Sequence, residues 1–310
     1  MVNPKEFSKL PERFAPGHRM CLGCGVPMAV KNILKATDKA VVVGAATGCL
    51  EVCSSIFPYS SWNVPWIHNA FENVAATMSG VETAYHSLMK TGKISKDKEI
   101  KFIAFGGDGG TYDIGLQSLS GMLERGHDVF YVCYNNEAYM NTGIQRSSAT
   151  PFGADTKTDP AGKARAGKQE FAKDLTKIVV AHNIPYVCQA AVHNYNDMIE
   201  KAKKAFETKG PSFMNVLTPC VPGWAYPQNK TVEVSRLAVE SCFWPLYEVV
   251  NGEYKLSYDP GDKKVAVVEW LKMQRRFSHL FNPGNEWMLK KIQENVDREW
   301  ALLKKLCGVK

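Results

Sequence analysis

IKFIAFGGDGG, residues 100–110, reads as a strand that runs straight into a glycine loop. Its apolar, β-branched first half suits the interior of a parallel sheet. DIGLQSLSGMLERG (113–126) follows with helical spacing and a stop at Gly126, and DVFYVCYNN (128–136) is the next strand. Strand, loop, helix and strand in so short a span form a βαβ unit. Its loop lies at the C-terminal end of the strand, where α/β sheets take their ligands.

The loop itself, Gly106-Gly107-Asp108-Gly109-Gly110, carries the chemistry. Glycines let a backbone approach phosphate oxygens, and a helix start offers amide donors. An aspartate among them repels phosphate unless Mg²⁺ lies between and draws oxygens from both. Asn135-Asn136 ends the following strand, so parallel pairing brings Asn136 to the same crevice as Asp108. The main-chain oxygen of Ala138, just beyond, suits a hard cation. The plainer alternative is a tight turn at GGDGG with an asparagine cap.

Around this unit the pattern stays α/β. PMAVKNILKAT (27–37) has helical spacing, and AVVVGAA (40–46) reads as a buried strand ending in Thr47-Gly48-Cys49. YSSWNVPWIH (59–68) reads as a loop, and residues 70–92 as a long helix stopped by Gly92. Residues 141–172 form a long polar segment expected to be a functional loop. Helix and strand alternate again to PSFMNVLTP, after which WPLYEVVNGEYKLSY (244–258) reads as a hairpin turning at Asn251-Gly252. Residues 286–306 are a final amphipathic helix. The expected architecture is a mostly parallel sheet with helices on both faces. An irregular arm (1–20) precedes the main domain (21–243), and a hairpin-and-helix extension (244–310) follows it, with the capacity to wrap a partner.

The chain has 310 residues and a net charge of +7 without a basic block, which argues against nucleic-acid binding. No apolar run approaches a spanning helix and no secretory h-region opens the chain, so no membrane is expected. Nine cysteines, an odd number, fit reduced thiols and metal ligation in a reducing cytoplasm better than a disulfide framework. Cys133, Cys188, Cys242 and Cys307 lie in strand-like or helix-like runs and read as structural. Cys21 and Cys24 form C-x-x-C, whose two thiolates turn toward one site. Soft thiolates suit an iron–sulfur cluster or zinc, and spacing alone leaves both open.

GDGGTYDIG followed by YNNEAYMNTGIQRSSATPFGA resembles the thiamine-diphosphate enzymes, whose motif begins with GDG and ends in an asparagine pair. More narrowly, it is similar to the β subunit of 2-oxoacid:ferredoxin oxidoreductases, especially the multi-subunit pyruvate enzymes. GHRMCLGCG, ATGCLEV, WNVPWIHNAFEN and the TPC at 218–220 carry the same resemblance, which runs from about residue 12 to beyond 250. It implies Mg²⁺ on Asp108, the Asn136 side chain and the Ala138 carbonyl, with Gly107, Gly109 and Gly110 around the diphosphate. It implies a [4Fe–4S] cluster on Cys21, Cys24, Cys49 and Cys220. Cys53, one helical turn beyond Cys49, competes for the third position. Cys49 is favoured because Gly48 permits close approach and because the family's TGC-x-E motif places its ligand there.

The resemblance further implies thiamine-dependent oxidative decarboxylation of a 2-oxoacid, with single electrons passing through the cluster to ferredoxin. Coenzyme A takes the acyl group in most members. No activating carboxylate for the cofactor is evident here, so a partner α subunit is expected to supply that glutamate. A separate ferredoxin-like subunit is expected to carry electrons out. Asn141 matches the family position near the substrate, with a loop cap as its plainer role. Thr47 and Gly48 are expected beside the cofactor. His68 reads as packed and satisfied more readily than as an acid–base group. Tyr59, Trp62 and Trp66 read as packing or interface. Lys163, Arg165 and Lys168 read as a solvated loop or as contacts to an anion. Pyruvate leads as substrate, with oxalate (without coenzyme A) or 2-oxoisovalerate as rivals. A non-redox thiamine decarboxylase or carboligase with zinc, and a non-catalytic electron-transfer module, are the competing classes.

Overall fold

A computed structural model describes residues 3–95 and 99–309 of the chain. Eight strands form one sheet: β1 (Ala40–Ala46), β2 (Trp66–Asn69), β3 (Ile100–Gly107), β4 (Val129–Asn135), β5 (Tyr186–Ala191), β6 (Ser212–Leu217), β7 (Tyr247–Val250) and β8 (Glu253–Leu256). Their order is β2-β1-β3-β4-β6-β5-β7-β8. The first six strands in that order are mutually parallel, and β7 and β8 close the edge antiparallel.

Alternation along β3 builds two cores. Ile103 and Phe105 join Val30, Ile33, Met198 and Phe206 on one face, where helices Gly25–Leu34 and Tyr195–Glu207 pack. Phe102 and Ala104 join Val74, Met78, Leu119 and Met122 on the other, under helices Val74–Lys90 and Leu116–Glu124. The central strands β1, β3, β4, β5 and β6 therefore bury both sides, as their near-continuous apolar composition requires. The chain leaves β1 for β2 on one flank and then places β3 on the other, so the strand order reverses between β1 and β3. Ligand crevices open at such a reversal.

Two segments differ from their sequence reading. Residues 66–69, expected within a loop, form β2 parallel to β1. Pro65 stands just before this edge strand, where the missing N–H does no harm, and its carbonyl accepts from Val43 N at 2.9 Å. The N-terminal arm contains a short helix, Pro4–Lys9, and is anchored by fully buried Phe14, which bridges to Trp62. The expected hairpin forms, with Asn251 and Gly252 both at positive φ, and extends the main sheet beyond β5. Helix Glu286–Leu306 lays Met288, Ile292, Val296, Trp300 and Leu303 into the core under the second face.

Candidate active site

The C-terminal ends of β1, β3, β4 and β6 deliver Thr47-Gly48-Cys49, Asp108, Asn136 and Cys220 to one side of the sheet. Asp108 is buried, and burial pushes its carboxyl up to about 7. Asn136 N donates to Asp108 Oδ1 at 3.2 Å. With its side-chain nitrogen turned toward them, the Asn136 amide reaches both the Ala138 carbonyl and Asp108 Oδ1 at 2.9 Å. The three groups named from the sequence as cation ligands thus meet around a single amide. An Mg²⁺ ion replacing that nitrogen would find oxygens from all three once the amide turned over.

The crevice beside them is lined by Thr47, Gly48, Gly107 to Gly110, Ala138 and Asn141 among others. Tyr134, at the end of β4, forms its wall. It is buried, its hydroxyl makes no well-formed hydrogen bond among the described residues, with only the Leu50 backbone bearing on it, and a Cβ on Gly48 would lie 2.6 Å from that oxygen. An orphaned buried hydroxyl facing a crevice signals a polar group missing from it, in keeping with a bound cofactor. Gly109 has a packing reason to be glycine besides the expected one. The Tyr139 ring fills the space where its Cβ would be, within 2.4 Å, and Tyr139 Oη donates to Gly109 O at 2.9 Å. Thr47 has its hydroxyl engaged, donating to Asn69 O at 2.8 Å.

The cysteine loops are fastened to one another by backbone. Cys24 N donates to Cys21 O at 3.1 Å, and Gly25 N donates to Pro219 O at 3.3 Å. This sets the C-x-x-C turn against the loop bearing Cys220. Cys49 is close enough to Cys220, Cys24, Cys53 and Cys21 for each to act on its ionisation. Burial pushes the thiols of Cys24 and Cys220 up to about 12 and about 11, and raises Cys49 further. Thiols so held stay protonated until a cationic metal centre supplies the compensating charge. Cys53 lies near Cys21, and its carbonyl accepts from Arg19 N at 2.8 Å. Cys133, Cys188 and Cys242 are buried in the core, and Cys307 follows the last helix.

Other residues singled out from the sequence fall apart from this centre. His68 is exposed, yet it stacks on Trp66 and lies 3.5 Å from Glu51, so it has partners as expected without being buried. Trp62 is buried and donates to Ser54 Oγ at 2.8 Å, whereas Tyr59 is exposed. Lys163 and Arg165 are exposed, but Lys168 contradicts the solvated-loop reading. It is buried, donates to Thr150 O at 2.5 Å, and is pushed down to about 8 by that burial. Sequence reasoning missed Ser147, buried, whose hydroxyl donates to Asp108 Oδ2 at 2.5 Å. It also missed Glu137, whose carboxylate is paired with Arg276 in the interior. A serine in a polar loop and an arginine in the extension carry no local signal of these roles.

A larger cavity of about 310 Å³ lies against the final helix, bounded by Tyr112, Asn135, Thr176, Asn215 and Trp300. Neither Asp108 nor the cysteines of the C-x-x-C turn line it. The narrow crevice, and not this space, holds the convergent chemistry.

Comparison with known proteins adds to the geometry. Residues 44–216 match the family described as thiamine pyrophosphate enzyme, C-terminal TPP binding domain. The chain is 53% identical over 303 residues to pyruvate synthase subunit PorB of Thermotoga maritima, covering 96% of this chain and 93% of that one. It is 52% identical to the PorB subunit of Methanocaldococcus jannaschii, over 94% of this chain and 96% of that one. It is 42% identical to ketoisovalerate oxidoreductase subunit VorB of Pyrococcus abyssi, over 96% and 94%. Among solved structures, 2-oxoglutarate:ferredoxin oxidoreductase from Magnetococcus marinus shares the fold. Its TM-score is 0.53 at 20% identity, covering 76% of this chain and 80% of that one.

Proposed function

The chain belongs to the β-subunit family of 2-oxoacid:ferredoxin oxidoreductases, and from that premise we propose that it serves a pyruvate-oxidising complex. The observation that carries this reading is the convergence of Asp108, the Asn136 amide and the Ala138 carbonyl in a crevice whose flanking loops bear the grouped cysteines. Pyruvate is favoured over 2-oxoisovalerate because the relatives named for pyruvate synthase reach 53% and 52%, against 42% for the ketoisovalerate enzyme.

Asp108, Asn136 and Ala138 hold Mg²⁺, and the backbone from Gly107 to Gly110 receives the diphosphate. Thr47 and Gly48 floor the crevice, and Tyr134 offers its free hydroxyl. Thiamine diphosphate, when bound, supplies the nucleophile and electron sink for decarboxylating a 2-oxoacid. Asn141, at the rim, orients the substrate. Cys21, Cys24, Cys49 and Cys220 hold a [4Fe–4S] cluster that accepts electrons singly. The rival reading, a non-redox thiamine enzyme with zinc on the same thiols, predicts zinc and no iron in the complex.

All proposed ligands lie within residues 21–243, flanked by the arm (1–20) and the extension (244–310). Among the described residues, Asp108 is the one acidic side chain lining the crevice, and it faces the metal loop. The glutamate that activates the cofactor therefore comes from an α subunit, and a ferredoxin-like subunit passes electrons to ferredoxin. No described helix is long and apolar enough to cross a membrane. The expected compartment is a reducing cytoplasm, which nine cysteines without a disulfide framework fit.

The test is turnover of the purified complex with pyruvate, 2-oxoisovalerate and oxalate, with and without coenzyme A. Coenzyme A-dependent reduction of ferredoxin with pyruvate preferred is expected. Coenzyme A-independent turnover of oxalate would overturn the substrate assignment. In parallel, Asp108→Ala should empty the complex of thiamine diphosphate and leave its iron in place. Retained cofactor would contradict the metal site.

A further inference from the structure

Glu137 stands between two of the proposed metal ligands, Asn136 and Ala138, and takes a left-handed backbone with φ 67°. A non-glycine residue there is held against steric strain. Its carboxylate is buried and ion-paired with Arg276, also buried, from the segment after β8. Arg276 is itself fixed. Its Nε and Nη2 donate to Gln274 Oε1 at 2.9 and 2.6 Å, and its guanidinium lies 4.1 Å from the centre of the Trp224 ring. Trp224 in turn donates from Nε1 to Asn136 O at 2.8 Å, and its backbone N donates to Cys220 O at 2.9 Å. Asn136, Glu137, Arg276 and Trp224 thus form a closed ring of contacts. One side of the ring is the metal loop and the other is the loop of Cys220.

A buried ion pair is a poor way to gain stability. Apolar side chains of similar volume often do as well or better, whereas removing one partner leaves an uncompensated charge. A pair retained in the interior, at a strained residue between two ligands, is therefore better understood by what it orients. We propose that Arg276 is a positioning residue: through Glu137 and Trp224 it presets the Asn136–Ala138 backbone for Mg²⁺ and the diphosphate. The inference rests on the metal site proposed above and deepens it. Arg276 touches neither metal nor cofactor on this account. It acts by holding the Glu137 turn, which keeps the Ala138 carbonyl and the Asn136 side chain aimed at Asp108.

The experiment uses the intact complex, stripped of cofactor and titrated with thiamine diphosphate at several Mg²⁺ concentrations. Wild type is compared with Arg276→Lys and with the double variant Glu137→Gln, Arg276→Met. The double variant removes both charges of the pair together; Lys168, buried and also acting on Glu137, is unchanged in it, and the melting temperature reads any cost of leaving that cation without Glu137. The expected result is a roughly tenfold or greater loss of Mg²⁺-dependent cofactor affinity, as for other outer contacts of metal sites, with melting temperature near that of wild type. Arg276→Lys keeps the charge but loses the fork and the stacking, and is expected to fold and fall between the two. Wild-type affinity in a folded double variant would overturn the inference. Should the double variant fail to fold, wild-type affinity in Arg276→Lys overturns it equally, and weakened affinity with normal melting supports it. A wild-type complex that binds no thiamine diphosphate would sink the metal site itself and take this inference with it. Tight wild-type binding with equally tight variants sinks only the role of Arg276.

Discussion

Trp224 Nε1 donates to the main-chain oxygen of Asn136 at 2.8 Å, and so fixes the loop after Cys220 to the loop after β4. Two segments that need share nothing but the sheet are thereby held in one geometry. Trp224→Phe keeps an aromatic ring against Arg276 but leaves the Asn136 carbonyl buried without a donor. Such a group costs about 1–3 kcal/mol. The variant is expected to melt earlier by a corresponding amount and to bind thiamine diphosphate less tightly. Thermal melts and cofactor titration together check this, and unchanged values for both would remove the link.

The Tyr134 hydroxyl is buried and, among the described residues, makes no well-formed hydrogen bond, with only the Leu50 backbone bearing on it. Removing an unsatisfied buried polar group is neutral or stabilising, whereas removing one that is in use is costly. Tyr134→Phe should therefore melt at or above wild type in the cofactor-free complex. The advantage should vanish or reverse once Mg²⁺ and thiamine diphosphate are added. A variant less stable in both states would mean the hydroxyl has a partner inside the protein.

Gly23, within the C-x-x-C turn, has φ 75°, and a Cβ there would lie 2.3 Å from the Gln228 carbonyl. Both strain and clash oppose any side chain, the first alone by roughly 1–2 kcal/mol. Gly23→Ala should displace Cys21 and Cys24 relative to Cys220 and lower the iron content of the complex, with thiamine diphosphate content preserved. Parallel iron and cofactor assays decide the matter. Equal loss of both would indicate general unfolding instead.

His193 is half-buried, contacts Ser235 Oγ at 3.2 Å through Nδ1, and is pushed by burial down to about 4. In the unfolded chain a histidine takes its proton near 6.5. The unfolded state therefore binds the proton first as pH falls. The stability contributed by neutral His193 is complete above about 6.5 and is lost progressively as pH drops toward about 4. Melting temperature should fall across that window, and His193→Gln should flatten this part of the slope. An unaltered slope in the variant would assign the acid sensitivity to carboxylates.

Much of this was legible in the chain. The strand–loop–helix–strand unit at 100–136 is local, and its Gly, Asp and Asn spacing brings Asp108, Asn136 and Ala138 together at the proposed cation site. The parallel sheet and the terminal hairpin likewise follow from composition and turn residues. What the sequence hid was long-range. β2 lay concealed in an aromatic, proline-bearing stretch because a four-residue edge strand leaves no periodicity to read. Lys168 looked like a solvated loop residue, since nothing local reveals that Thr150 O receives its ammonium group. Arg276 pairs with Glu137 across 139 residues, and only the folded chain brings them together.

The most direct test is iron and thiamine diphosphate counted on the intact complex, wild type beside Cys24→Ser and Cys220→Ser. Each variant is expected to lose about four irons per copy of this chain, the content of one [4Fe–4S] cluster, while cofactor content holds. Variants that keep all their iron, or a wild-type chain whose thiols carry zinc, would contradict the pairing of cluster and cofactor on which the mechanism depends.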